Sequence, residues 1–301
     1  MSALNVMLFG TGSNVVVTAG LARGVFARHG LTLDIAYTQG SEMLCETLRT
    51  GGCDIGVLAA DDVVYEVERR GLDFFLFMGI HTGLLSLMTR PEITTLGALA
   101  GRRFGVDDTA SGFVLLARQI LRDHGLTEGG YALVKAKGMN LRAQALENGE
   151  IDAALLSPPF TLRLRDRGFR ELARVHDFFP RYQAGCWVTT RAWATKHEEE
   201  LTTFVRAYLE SLAWTLDRKN REEAAGYLGQ EFKLEPDIAR RTYDLLAESD
   251  GGGLFREAAI DAEGIQVVID MRVEAGLLPS PPPPASKYYD ARYLERARGG
   301  A

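Results

Sequence analysis

Short apolar runs alternate with stretches of helical spacing through the first half of the chain. Residues 5–9 (NVMLF) read as a buried strand, and residues 10–14 (GTGSN) turn the chain into a helix over 15–28, where Val17, Leu21 and Val25 fall at helical intervals. His29 and Gly30 end that helix, because glycine tolerates the left-handed conformation that follows a helix C-terminus. Residues 31–37 alternate as a second strand. Gly40 and Ser41 open a helix carried by Met43, Leu44, Cys45 and Leu48 and stopped by Gly51 and Gly52, and 55–58 form a third strand. A helix over 61–71 and strands over 74–78 and 84–89 follow. Strands that alternate with helices predict an α/β protein with mostly parallel sheet and crossover connections.

The same order then recurs. Strands are expected at 104–107, 131–135 and 151–156, with helices over 113–123 and 140–147. Gly40, Leu48, Gly51 and Asp54 are matched by Gly138, Leu146, Gly149 and Asp152, and Thr11 and Ser13 by Thr109 and Ser111, each at an offset of 98. His29, Gly30 and Leu31 are matched by His124, Gly125 and Leu126 at an offset of 95. A duplicated strand–helix–strand unit implies two similar lobes, and two facing lobes make a cleft that clasps a ligand. After a strand over 185–190 the pattern turns helical. Leu201, Phe204, Val205, Tyr208, Leu209, Leu212 and Leu216 form one apolar stripe, and further helices are expected over 222–228, 237–247 and 264–275. Having no partner strands, these are expected to pad the first lobe. Pro281 to Pro284 form a stiff segment, and residues 286–294, with Tyr288, Tyr289 and Tyr293, dock as a tail.

Composition narrows the function. The 301 residues are 46% hydrophobic and 25% charged, with a net charge of −6. That is the profile of a soluble globular chain without the basic stripe of a nucleic-acid binder. Cys45, Cys53 and Cys186 are odd in number and contain no CxxC, so buried thiols are expected in preference to a disulfide or zinc site. No run reaches the ~18 apolar residues of a membrane helix. A strand begins almost at Met1, so either an export signal has been removed or the protein is cytoplasmic. GxSxG, GxGxxG with its acidic partner, the P-loop and HExxH are all absent, and no cofactor or metal is expected.

The two βα lobes, the Gly-Ser helix start, the strand ends GCDIGVLAAD (52–61) and EIDAALLSPP (150–159) and the PPPP…YYDARYL tail resemble the type II periplasmic-binding-protein fold. Within it the chain is similar to the sulfonate, taurine and nitrate binders and the NMT1/THI5-like proteins. The resemblance implies a first lobe built from 1–88 and 188–301 and a second from 89–187. Each lobe would be a mixed, mostly parallel sheet flanked by helices, with hinge crossings near 87–89 and 185–188. It places a small-molecule ligand between the lobes at the carboxyl ends of the strands, where ligands also fall in open α/β sheets generally.

Four loops converge on that position if the repeat holds. Thr11, Gly12, Ser13 and Asn14, then Gly40 and Ser41, sit at helix starts, where free N–H groups attract anions or merely cap the helix. Thr109, Ala110, Ser111 and Gly112 are their counterpart in the second lobe, and in the family that loop commonly holds a carboxylate or sulfonate. Ser157, Pro158 and Phe160 follow a buried strand and would either face the cleft or turn Phe160 into the core. Asp61 is a ligand contact or a helix cap. His81 and Thr82 are expected at the cleft mouth, and Tyr182 and Gln183 beside the second crossing.

Three functions fit these residues. The first is the solute-binding component of an ABC importer, with a permease as partner and a monomer or weak dimer as its state. The second is a cytoplasmic enzyme on the same fold. The resemblance extends to a thiamine-pyrimidine synthase and an aromatic sulfinate desulfinase, but their cysteine motifs are missing here, which leaves a decarboxylase or lyase using His81 as acid/base. The third is a ligand sensor. Helix starts and hydroxyls favour an anionic head on the ligand, and Phe160, His81 and Tyr182 an aromatic body.

Overall fold

The computed structural model describes residues 2–107, 111–248 and 252–299. The chain divides into two compact units, Met1–Thr82 with Arg181–Ala301, and Gly83–Pro180.

The first unit opens with β1 (Ser2–Phe9), α1 (Val15–Ala22), α2 (Val25–Arg28), β2 (Leu31–Thr38), α3 (Ser41–Arg49), β3 (Ile55–Ala59), α4 (Ala60–Arg70) and β4 (Phe74–Gly79). The helix expected over 15–28 is two helices, because Gly24 takes the left-handed conformation (φ 67°) and ends the first. The second unit contains β5 (Ser86–Thr89), β6 (Arg103–Val106), α5 (Gly112–Arg122), β7 (Ala132–Lys135), α6 (Met139–Glu147), β8 (Ala153–Leu156), α7 (Phe160–Asp166), β9 (Arg170–Arg174) and α8 (Val175–Phe178). The chain then returns to the first unit as β10 (Gly185–Thr190), α9 (Arg191–Lys196), α10 (Glu198–Leu216), α11 (Arg221–Phe232), α12 (Pro236–Leu246), α13 (Ala262–Glu274) and α14 (Arg292–Gly299).

The two sheets have one plan. The first has the order β2-β1-β3-β10-β4 and the second β7-β6-β8-β5-β9. In the first, β1 runs parallel to β2 and β3, while β10 runs antiparallel to β3 and β4. In the second, β6 runs parallel to β7 and β8, while β5 runs antiparallel to β8 and β9. Register repeats as well: Val6 lies opposite Ile55, and Phe104 opposite Ala153. Strand membership moves the boundaries read from the sequence. All of β5 is paired in the second sheet and all of β10 in the first, so dividing the chain at 88/89 and 187/188 would cut both strands.

In the first unit β4 is wholly buried. Trp187 on β10 meets the rings of Phe204 at 4.8 Å and Tyr208 at 5.4 Å, both from α10, so the apolar stripe of that helix closes over the sheet. The tail covers the outer edge of β4, the last strand of its sheet: the Leu76 N–H donates to the Tyr288 carbonyl at 2.9 Å and the Asp290 N–H donates to the Leu76 carbonyl at 2.9 Å. In the second unit α6 and α7 bury Leu146, Phe160 and Leu164 with Met88, Ala154 and Leu156. The three cysteines are buried and unbridged, and burial raises all three thiol pKa values.

Candidate functional site

In each unit the strand directions bring the expected loops to one edge. For the first unit the carboxyl ends of β1, β2, β3 and β4 and the start of β10 share it. Here the Thr11 and Ser13 hydroxyls bond each other at 2.9 Å, and Ser13 and Asn14 are buried. The Asn14 amide donates to the Phe9 carbonyl at 2.6 Å and to Glu231 at 3.3 Å. Glu231, from α11, also accepts from Thr18 at 2.9 Å and from the Tyr37 hydroxyl at 3.2 Å. Burial, then the charge and hydrogen bond of Glu231, push the Tyr37 phenol up to about 12. Glu231 was not foreseen. It lies more than two hundred residues from the loop it serves, and only the docking of α11 brings it there.

Gly40 precedes α3 in extended backbone (φ −171°), and the helix start carries no side-chain cap. The Thr38 hydroxyl holds this turn, donating to the Gly40 carbonyl at 2.7 Å and accepting from its N–H at 3.2 Å. Ser41 begins the helix with part of its surface exposed. First-turn N–H groups without a side-chain cap are suited to an anion or to water.

Other expected residues of this unit are committed to its own packing. Asp61 neither caps α4 nor faces solvent. The α4 start is held by Asp62, which accepts from the Ala59 N–H at 3.3 Å. Asp61 is buried in a two-pronged pair with Arg272 of α13, both bonds 2.6 Å long. The Gln183 amide is fully buried and used at both ends: it donates to the Gly185 carbonyl at 3.2 Å and accepts from the Asp261 N–H at 2.9 Å. Tyr182 is buried beside it, and burial followed by the Asp61 charge raises its phenol well above the usual range. His81 keeps some surface, but its imidazole is enclosed against Gly185, where a Cβ would stand 2.7 Å from the ring. Desolvation lowers the imidazole to about 4, so at neutral pH it is uncharged. Thr82 is buried next to it.

The second unit presents the carboxyl ends of β6, β7, β8 and β9 at one edge. Ser111 is the N-cap of α5: its hydroxyl accepts from the Val114 N–H at 3.4 Å and donates to Asp107 at 2.7 Å, and Gly112 is buried behind it. Thr109 and Ala110 lie outside the described residues. Ser157 is buried at the end of β8. Its carbonyl accepts from the N–H groups of Phe160 and Thr161, while its hydroxyl has no hydrogen-bond partner among the described residues. Pro158 is buried, and Phe160 turns into the core beneath α6. The sequence reading also passed over Arg142. This arginine of α6 is only 4% exposed and donates to the Ala136 carbonyl at 3.2 Å. Its signal was a charged residue three and four positions before Ala145 and Leu146, on the buried face of the helix.

Two mixed sheets of the same plan, each flanked by helices and one completed by a returning chain, define the periplasmic-binding-protein fold. The chain belongs to the NMT1/THI5-like family, whose sequence profile matches residues 15–222. Among solved structures it is similar to the periplasmic nitrate-binding protein NrtA of Synechocystis (TM-score 0.84, 10% identity, covering 100% of this chain and 89% of that one). It is also similar to the ligand-binding component of an ABC-type import system from Staphylococcus aureus, solved with zinc bound (0.81, 14%, 99% and 99%). A third is the alkanesulfonate-binding protein SsuA of Xanthomonas axonopodis, bound to MOPS (0.79, 18%, 96% and 99%). No functionally curated protein matches it by sequence.

Proposed function

We propose that this protein is the solute-binding component of an ABC importer, taking a small organic anion or heterocycle at the carboxyl edges of its two sheets. The observation that carries this reading is the repeat of one edge design in both units: helix starts, hydroxyls and buried polar groups gathered where open α/β sheets take ligands. The nitrate-, alkanesulfonate- and zinc-associated names of similar structures support a solute-binding role. Among the described residues no group of three or more His, Cys, Asp or Glu is placed to hold a metal ion, which favours an organic solute over zinc. An extracytoplasmic location and a permease partner follow from the importer reading. Among the described residues no helix is long and apolar enough to cross a membrane.

The test is a thermal-shift screen of the purified chain against sulfonates, aromatic carboxylates, pyrimidines and nitrate, with mass spectrometry of each mixture. Ligands that bind only the folded state raise its melting temperature by mass action. A shift with the compound recovered unchanged is expected. A compound consumed overturns the reading in favour of a lyase and directs attention to His81.

A further inference from the structure

Among the described residues two arginines are almost completely buried, and they are treated oppositely. Arg272, 2% exposed, is met by the Asp61 carboxylate through two bonds of 2.6 Å. Arg142, 4% exposed, meets among the described residues only the Ala136 carbonyl at 3.2 Å and the Met139 sulfur at 3.5 Å. Among the described residues no carboxylate lies within ion-pair distance of it. Asp107 acts on it at longer range, and one Asp107 oxygen is occupied by the Ser111 hydroxyl at 2.7 Å. A thioether is a weak acceptor, and a guanidinium carries five N–H donors and a charge it does not lose. Burial lowers the Arg142 pKa, and an arginine side chain in a protein stays protonated. A buried charge left without a counter-charge is strongly destabilising, so its presence needs a reason beyond packing.

That reason lies at the same edge. Ala136, which holds Arg142, follows β7, and its N–H donates to the Val106 carbonyl at the end of β6 at 2.7 Å. On the other side of β6 runs β8, and after it stands Ser157, 7% exposed, with its hydroxyl unpartnered among the described residues. The carboxyl edge of one sheet thus carries a buried cation lacking an anion and a buried hydroxyl lacking an acceptor. An oxyanion is the chemical complement of each.

We propose that Arg142 is the receptor for the acidic head of the solute, a carboxylate or sulfonate, with the Ser157 hydroxyl as a second donor. This rests on the solute-binding reading and narrows its ligand class to oxyanions. Arginine suits the role because its planar fork matches such a group with two parallel bonds.

The experiment is calorimetric titration of the full chain with benzoate, benzenesulfonate and neutral benzamide. Wild type is expected to bind at least one of the acids about tenfold or more tightly than the amide. The preference between the two acids tells carboxylate from sulfonate. Arg142→Gln is expected to weaken acid binding by roughly 10- to 100-fold, the range for a lost hydrogen bond to a charged group. Arg142→Lys should restore part of it, and Ser157→Ala should cost several-fold. Equal acid affinity in wild type and Arg142→Gln would overturn the proposal. So would benzamide bound as tightly as the acids by wild type, a comparison that depends on no variant folding. If pyrimidines shift the melting temperature while neither acid binds, the oxyanion receptor fails and solute binding stands. If nothing in the wider screen binds, the solute-binding reading fails and takes the receptor with it.

Discussion

Asp54 and Asp152, one from each unit, make the same bond. Asp54 accepts the backbone N–H of Asn5 at 2.8 Å, and Asp152 accepts that of Arg103 at 2.9 Å, each across a separation of 49 residues. The backbone N–H of each aspartate returns a bond to the carbonyl of the same partner at 2.8 Å. The aspartate of the sequence repeat therefore latches the approach to one strand onto its parallel neighbour. Asp152 does more, because its carboxylate also holds the Arg103 guanidinium through two bonds of 3.0 Å. Asp152→Ala is expected to lower stability by about 1–3 kcal/mol and Asp54→Ala, at a wetter site, by less. Urea unfolding midpoints check both values.

The same latch sets a pH dependence. Hydrogen bonds from Arg103 hold the Asp152 carboxyl below its ordinary pKa. Its contribution is therefore fully present above the unfolded value of about 3.9 and is lost as pH falls through the lower folded value. The stability gap between wild type and Asp152→Asn should be constant near neutrality and shrink in acid. A gap that widens in acid would contradict the assignment.

The buried pair between Asp61 and Arg272 ties α4 to α13. Removing one partner strands the other charge, so Asp61→Ala should cost about 3–5 kcal/mol, whereas a double change to apolar residues of similar volume should recover much of that loss. Denaturant unfolding of the two single variants and the double variant measures the coupling.

His81 provides the opposite titration. Desolvation places its folded pKa at about 4, below the unfolded value of about 6.5. The folded state gains from the neutral ring above pH ~6.5 and loses that gain as pH falls from there toward 4. His81→Gln should flatten the decline in stability across this window. Proton NMR of the ring should show no protonation near pH 6.

Gly79 stands where a Cβ would lie 2.4 Å from the Ala259 carbonyl oxygen, which is backbone and cannot swing away. Gly79→Ala should cost about 1–3 kcal/mol through overpacking. Gly40→Ala, with nothing within 4 Å of the added carbon, should be close to neutral. Paired thermal melts separate the two.

The fold was legible where the sequence signal is local or repeated. Strands β1 to β4 and β6 to β8 announce themselves by short apolar runs, and the offset of 98 carried their common plan. Elements α7 and β9 went unread because FTLRLRD and RELAR interleave arginines with apolar residues at no clean period. The insertion of β10 between β3 and β4 depends on pairing across more than a hundred residues, so no window of sequence displays it. The candidate site divided in the same way. Loops at strand ends followed from topology, and Ser13 and Ser111 both fall there. The fates of Asp61, Gln183 and Phe160 were set by partners such as Arg272, Asp261 and the α6 core, which only tertiary packing supplies.

The position of β10 also orders events during synthesis. Residues 83–180 are continuous in the chain and hold every strand of their sheet as soon as β9 leaves the ribosome. The earlier segment has to wait, because β3 and β4 are not neighbours until residues 185–190 arrive to lie between them. The unit begun first should therefore be finished last. Nascent chains halted when β9 has just emerged from the ribosome and residues 185–190 are still inside it should show hydrogen-exchange protection in β6 and β8 while β4 still exchanges freely. A translating ribosome would then carry a completed inner module beside an open half-sheet whose missing strand has yet to be made.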